Sequence, residues 1–169
     1  MNDQDPKYDI QAEIDLFFHD DSITNNEQPC AVILSGGTGT SKTRLRREKY
    51  SKGYVVLDAP EIFLSLCRGR YLDFPGPLEE PMELIGFGVA RRIFRERRNI
   101  VTEIIGIKYE PVTELIDTIK AVNYDVDFIH VTCDINVAWE QNINRSRNNI
   151  SAYYAEPYHF RWILAAIHP

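Results

Sequence analysis

The chain has 169 residues, 44% of them hydrophobic and 26% charged, with a formal net charge of −6. That is enough apolar material for one core, and the expected organisation is a single domain over residues 1–169, with residues 1–28 forming a leading helix and linker. The acidic balance argues against a general nucleic-acid binder, which carries an electropositive footprint. The acidic start "MNDQDPKYDIQAEIDLFF" and the lack of roughly 18 consecutive apolar residues argue against a signal peptide and a membrane span. Cys30, Cys67 and Cys133 are odd in number and unclustered, so reduced, buried thiols in a cytoplasmic protein are expected.

In chain order, Tyr8 to Phe18 places Ile10, Ile14, Phe17 and Phe18 at helical spacing, and the polar stretch "HDDSITNNEQP" reads as a linker. Four short apolar runs follow: "CAVILS" from Cys30, Tyr54 to Asp58, Asn99 to Ile104, and Val126 to Thr132. Their lack of alternation fits strands of a parallel sheet buried on both faces. Helical patterns separate them, including Pro81 to Arg98 and about Pro111 to Val122. Strands alternating with helices predict a three-layer α/β/α P-loop nucleotide-binding fold with a short parallel sheet. Arg68 to Pro81, rich in proline and glycine, reads as a loop or short excursion. The basic runs Arg44 to Lys49 and Arg91 to Arg98 read as solvated helix faces, the first also as cations beside an anionic ligand.

"GGTGTSKT" lies between the first apolar run and a helix, the order that makes a phosphate-binding loop. Against the pattern G-x-x-x-x-G-K-[ST], Gly36, Lys42 and Thr43 are in register and Ser41 replaces the second glycine. Gly36, Gly37, Thr38, Gly39, Thr40, Ser41, Lys42 and Thr43 would wrap the phosphates with backbone N–H groups, Lys42 would reach the outer phosphates, and the Thr43 hydroxyl would take one site on Mg²⁺. A helical backbone is expected at Ser41, where a side chain costs little.

Ligands of such folds sit beyond the carboxyl ends of the strands. Asp58 closes the second run and Glu61 follows it, so either is a candidate proton acceptor or acceptor-binding group, or else a helix N-cap beside Pro60. Asp58 is favoured because it ends the strand. Glu103 closes the third run near the expected metal and acceptor, unless it is a solvent-facing strand-end acid. Arg145 and Arg147 follow the last helical pattern and would neutralise a transferred phosphoryl group, unless they are exposed helix-terminal cations.

These segments together, "QPCAVILSGGTGTSKT", "GYVVLDAPEIF", "RRNIVTEIIG", "NYDVDFIHVT" and "NINRSRNN", resemble the zeta-toxin-like P-loop kinases over roughly Gln28 to Ile163, and the last is similar to the lid of polynucleotide 5′-kinases. The resemblance implies ATP with Mg²⁺, transfer to a hydroxyl of a nucleotide-sugar-like or nucleoside-containing small acceptor, and a protein partner such as an antitoxin. A polynucleotide 5′ end is a further acceptor suggested by the lid, against the unfavourable net charge. In that family a D-x-D-x-[IF] segment follows the second strand; Asp58 matches the first acid and Pro60 stands at the second. Two alternatives therefore stay open: a nucleotide- or partner-binding module without catalysis, and another P-loop transferase such as an adenylate prenyltransferase. The chain also shows no obvious fifth strand after the lid, which suggests a four-stranded core.

Overall fold

The computed structural model describes residues 8–19, 27–146 and 150–168. Four strands, β1 (Cys30–Ser35), β2 (Val55–Val56), β3 (Ile100–Ile104) and β4 (Asp125–His130), form a parallel sheet in the order β2-β3-β1-β4. Val32 of β1 stands beside Val101 of β3 and Asp127 of β4, which fixes the register across the centre. The helices are α1 (Ile10–Asp15), α2 (Lys42–Lys49), α3 (Ala59–Cys67), α4 (Glu79–Arg95), α5 (Tyr109–Ala121), α6 (Ile135–Ile143) and α7 (Ala152–Ile167).

Strand alternation divides the core into two unequal parts. Ala31, Ile33, Ile100 and Ile104 face a large cluster with Ile62 and Leu66 of α3, Met82, Ile85 and Ile93 of α4, Leu115 of α5 and Trp162 of α7. Val32, Leu34 and Val101 face the other way, against Leu45 of α2 and Tyr50, Tyr54 and Ile129. The result is an α/β/α arrangement with α2 on one face and most of the helical mass on the other. Glu103 falls on the α2 face because it alternates with Ile104 along β3, and that places its carboxylate opposite the helix that follows the glycine loop.

Several sequence expectations need correction. β4 is an edge strand rather than one buried on both faces: Asp125, Asp127, Phe128 and His130 are exposed, because the sheet ends there among the described residues. The leading helix is shorter than Tyr8 to Phe18, since its last three residues tighten into a 3₁₀ turn at Leu16–Phe18. The long helix α4 starts at Glu79, inside the stretch read as a loop, after a 3₁₀ turn at Gly76–Leu78. Arg92, read as part of a solvated face, instead bonds Asp15 at 2.6 Å and Glu96 at 3.0 Å and lies over the Phe18 ring. Cys67 is buried as expected, whereas Cys133 is exposed and Cys30 half-buried; all three are free thiols. Part of the predicted linker, residues 20–26, lies outside the described residues.

The C-terminal helix α7 is an addition to the elements expected from the sequence, because Pro157 within it interrupts the helical signal. Its signal is the spacing of Ala155, Tyr158, Trp162 and Ile163, all buried. α7 packs along α4 so closely that a Cβ on Gly86 would collide with the indole of Trp162. Helix propensity alone favours alanine over glycine by about 1 kcal/mol, so this glycine is set by packing. Gly86→Ala is therefore expected to lower stability by about 1–3 kcal/mol, the usual cost of overpacking a filled core. Urea unfolding of the two proteins measures this; an increase in stability would mean that the α4–α7 contact yields easily.

Candidate active site

β1 runs into the loop Gly36 to Ser41, which delivers the chain to α2 at Lys42. The loop lies against the strand and helix that follow it in space. A Cβ on Gly36 (φ +148°) would collide with the Val131 carbonyl, and one on Gly39 (φ +82°) with the Ala138 carbonyl of α6. Both positions demand glycine for conformation and for space. Ser41 departs from the helical backbone expected: its φ of 69° and ψ of 26° are left-handed. A left-handed residue ending the loop turns successive N–H groups toward one concavity, the geometry of an anion-binding nest. The serine is compatible with this because its Oγ donates to Gln141 Oε1 of α6 at 2.9 Å. It does not cap α2.

Lys42 is only 5% exposed. Its Nζ donates to the Gly36 carbonyl at 2.6 Å and the Gly37 carbonyl at 2.9 Å, so the side chain arches over the loop. Burial lowers its pKa, opposed by the negative charge of Glu103 and assisted by the positive charge of Arg145. The Thr43 hydroxyl donates to Glu103 Oε2 at 3.0 Å. Arg145 lines the same cleft as Thr38, Lys42, Thr43 and Glu103, a space of about 310 Å³, and is half-buried rather than an exposed helix-terminal cation. Arg147 lies outside the described residues.

A second cleft of about 270 Å³ adjoins the first through Thr43 and Glu103 and is lined also by Arg46, Asp58, Pro60 and Glu61. At its base lies an ion cluster centred on Arg46, which is 2% exposed. Arg46 Nε donates to Glu103 Oε1 at 2.7 Å, and its Nη2 reaches Glu61 Oε1 at 2.7 Å and Asp58 Oδ2 at 3.2 Å. Burial alone would lower the Arg46 pKa, but Asp58, Glu61 and Glu103 more than offset it and raise it. The basic run after the loop thus splits: Arg44 and Arg47 are exposed, whereas Arg46, one helical turn after Lys42, points inward.

The cluster excludes one structural alternative for each of two acids. Glu103 is not a solvent-facing strand-end group, since it is buried and bonded to both Arg46 and Thr43. Asp58 stands at the N-cap position of α3 without capping it. Pro60 removes one of the N–H groups an N-cap could serve, and the Ala59 N–H at the first position of the helix donates to His159 Nε2 at 2.8 Å. His159 is wholly buried on α7, and its Nδ1 lies 2.9 Å from the Glu103 carbonyl oxygen. With Nε2 accepting, Nδ1 carries the proton and donates to that carbonyl. In the sequence Arg46 is legible only as one member of the basic run Arg44 to Lys49, and His159 carries no local pattern that links it to this cluster.

One guanidinium cannot balance three carboxylates, and Asp58 responds. Burial, countered by Arg46 and reinforced by Glu103 and Glu61, pushes the Asp58 carboxyl from 3.8 up to about 8. Its Oδ1 faces His159 Nε2 at 3.5 Å, but that nitrogen's lone pair is already engaged and offers no proton. Burial lowers His159 from 6.5 to about 4, so the ring is neutral.

Among the described residues no group of three or more His, Cys, Asp or Glu side chains is placed to hold a metal ion. The Thr43 hydroxyl and Glu103 carboxylate are nevertheless hard oxygen donors beside the loop, the donor type that suits Mg²⁺. No described helix is long and apolar enough to cross a membrane.

No family model matches the sequence, and a search of curated proteins finds no match. The structure is similar to a chain from the PezAT chromosomal toxin–antitoxin system of the human pathogen Streptococcus pneumoniae, with a TM-score of 0.61 at 14% sequence identity. The match covers 85% of this chain and 62% of that one, so the chain spans less than two thirds of its neighbour's length. At that identity the likeness shows the fold alone.

Two expected outcomes follow from this geometry. A left-handed backbone costs an L-residue about 1–2 kcal/mol, so Ser41→Gly should be more stable than Ser41→Ala by about 1 kcal/mol, the reverse of the helix-propensity order. Denaturant unfolding of both variants checks it, and Ala equal to Gly would place Ser41 in a helical conformation. The second outcome concerns pH. The raised Asp58 pKa makes the folded state bind the extra proton between 3.8 and about 8, so its contribution to stability falls as pH rises through that window. The depressed His159 pKa has the opposite sign between about 4 and 6.5, where the two slopes oppose each other. Above about 6.5 only the Asp58 contribution remains, and stability should drop by roughly 1–2 kcal/mol on going to pH 8. Unfolding curves at the two pH values should show this drop in the wild type and its loss in Asp58→Asn; equal drops in both would locate the titration elsewhere.

Proposed function

We propose that the chain is an ATP-dependent phosphotransferase that acts on a hydroxyl of a small nucleotide-sugar-like or nucleoside-containing acceptor, as the resemblance to zeta toxins implies. The observation that carries this reading is the pair of adjoining clefts that share Thr43 and Glu103, one formed by the glycine loop and the other walled by carboxylates. Phosphates held in the first would present their outer phosphorus at the boundary with the second, where an acceptor hydroxyl can approach in line.

In this reading the backbone of Gly36 to Thr43 cradles the phosphates, Lys42 moves from the loop carbonyls to the outer phosphates, and Arg145 with Arg147 balances charge on the transferred group. Thr43 and Glu103 would hold Mg²⁺, which would neutralise phosphate charge when bound. Asp58, Glu61 and Glu103 form the acidic side that receives the acceptor. The similarity to a chain of a toxin–antitoxin system supports extending the reading to a protein partner such as an antitoxin. One observation favours a module that binds nucleotide without transferring phosphate: Pro60 lines the acceptor cleft at the place of the family's second acid.

Calorimetric titration with Mg-ATP tests the loop, and ADP release over a panel of nucleosides and nucleotide sugars tests transfer. Wild type should bind ATP, and Lys42→Ala should bind at least about tenfold more weakly, the loss of one charge-assisted contact at roughly 1.4 kcal/mol per decade. Equal binding by both proteins, or none by either, would overturn the reading. Binding without acceptor-dependent ADP release would favour the non-catalytic module.

A further inference from the structure

Resting on the phosphotransferase reading, we propose that Glu61, rather than Asp58, is the general base that takes the proton from the acceptor hydroxyl. A base must present a lone pair to the acceptor, at about 2.6–3.2 Å, from the side on which the acceptor enters. The three carboxylates on Arg46 differ in this respect.

Glu103 has both oxygens engaged, Oε1 by Arg46 at 2.7 Å and Oε2 by Thr43 at 3.0 Å, and faces the loop. The Asp58 side chain is 10% exposed, with Oδ2 on Arg46 and Oδ1 turned inward toward His159. The Glu61 side chain is 37% exposed and lines the acceptor cleft. Its Oε1 is held by Arg46 at 2.7 Å, whereas its Oε2 hydrogen-bonds no described residue. Glu61 is thus anchored through one oxygen and open through the other, the arrangement a base requires.

The backbone supports the same assignment. Pro60 sits in the first turn of α3 and His159 binds the Ala59 N–H, so the turn that carries Glu61 is fixed from both sides. Glu61 and its neighbour Pro60 line the same cleft, so the carboxylate stands beside the position at which the D-x-D pattern carries its second acid.

In the step itself, Glu61 Oε2 accepts the hydroxyl proton as the acceptor oxygen forms a bond to the γ-phosphorus of a nucleoside triphosphate. The bond from that phosphorus to the β,γ-bridging oxygen breaks, and the nucleoside diphosphate leaves with the electron pair. The products are a phosphate monoester and the diphosphate, and Glu61 returns its proton to water through the open cleft.

The test compares acceptor-dependent ADP release by wild type, Glu61→Gln, Asp58→Asn and Glu61→Ala, with ATP affinity by calorimetry and Tm for each. Glu61→Gln should lower kcat by about 10²–10⁴-fold with ATP affinity and Tm retained, and Asp58→Asn should lower it less. Formate should restore part of the turnover of Glu61→Ala, because the open cleft admits a small carboxylate; a purely structural role would show no such rescue. A loss in Asp58→Asn equal to or larger than that in Glu61→Gln overturns the assignment, as does unchanged kcat in Glu61→Gln. If wild type binds Mg-ATP yet no acceptor raises ADP release, the phosphotransferase reading itself fails and the assignment falls with it.

Discussion

The buried guanidinium of Arg46 is the interaction on which the site depends. It ties α2, which starts at the phosphate-type loop, to the end of β3 through Glu103 and to the start of α3 through Asp58 and Glu61. A charge this deeply buried is tolerated only when paired, and removing Arg46 would leave the buried Asp58 and Glu103 uncompensated, a loss that typically costs about 3–5 kcal/mol. The planar fork of arginine suits the position, since its Nε and Nη2 can serve separate carboxylates at once, a geometry that lysine cannot reproduce. Replacing Arg46 would therefore disconnect the loop helix from the strand ends as well as remove a charge.

The cluster is held from behind by neutral hydrogen bonds. His159 joins the Ala59 N–H to the Glu103 carbonyl and so spans the first turn of α3 and the end of β3. Glu156, one turn earlier on α7, accepts from the Ile105 N–H at 2.6 Å and the Gly106 N–H at 2.8 Å. Ser151 caps α7 and lies 3.3 Å from the Thr38 hydroxyl of the glycine loop. A helix far along the chain thus fastens the loop, the strand ends and the acid-bearing helix into one frame. Preorganised polar groups of this kind matter because electrostatic effects at a site depend on donors that need not reorganise.

The two faces of the sheet divide the work. The large cluster beneath α3, α4, α5 and α7 provides most of the apolar burial, while the smaller α2 face carries the loop, Arg46 and Glu103. Glu103 is admitted on the second face because α2 brings its partners, Thr43 and Arg46. α6 is attached more lightly, exposed along most of its length and meeting the loop at Ala138 and Gln141.

What the sequence determined by itself was whatever local pattern encodes: the strand–loop–helix order around Gly36 to Thr43, the parallel α/β class from unalternating apolar runs, the short four-stranded sheet, and the placement of Asp58, Glu61 and Glu103 near strand ends. Periodicity and glycine placement report backbone geometry within a few residues, and these features lie within that range. The left-handed backbone at Ser41, the inward turn of Arg46, the edge position of β4 and the helix α7 were decided by tertiary structure. Ser41 adopts its conformation because the loop must curl against α6. Arg46 points inward because Asp58 and Glu103, 12 and 57 residues away in the chain, meet it there. A row of arginines reads alike whether solvated or buried, since what separates the two cases is a carboxylate brought alongside by the fold. The partition of Asp58, Glu61 and Glu103 into sealed, open and loop-facing groups arises in the same way, from contacts that no spacing in the sequence records.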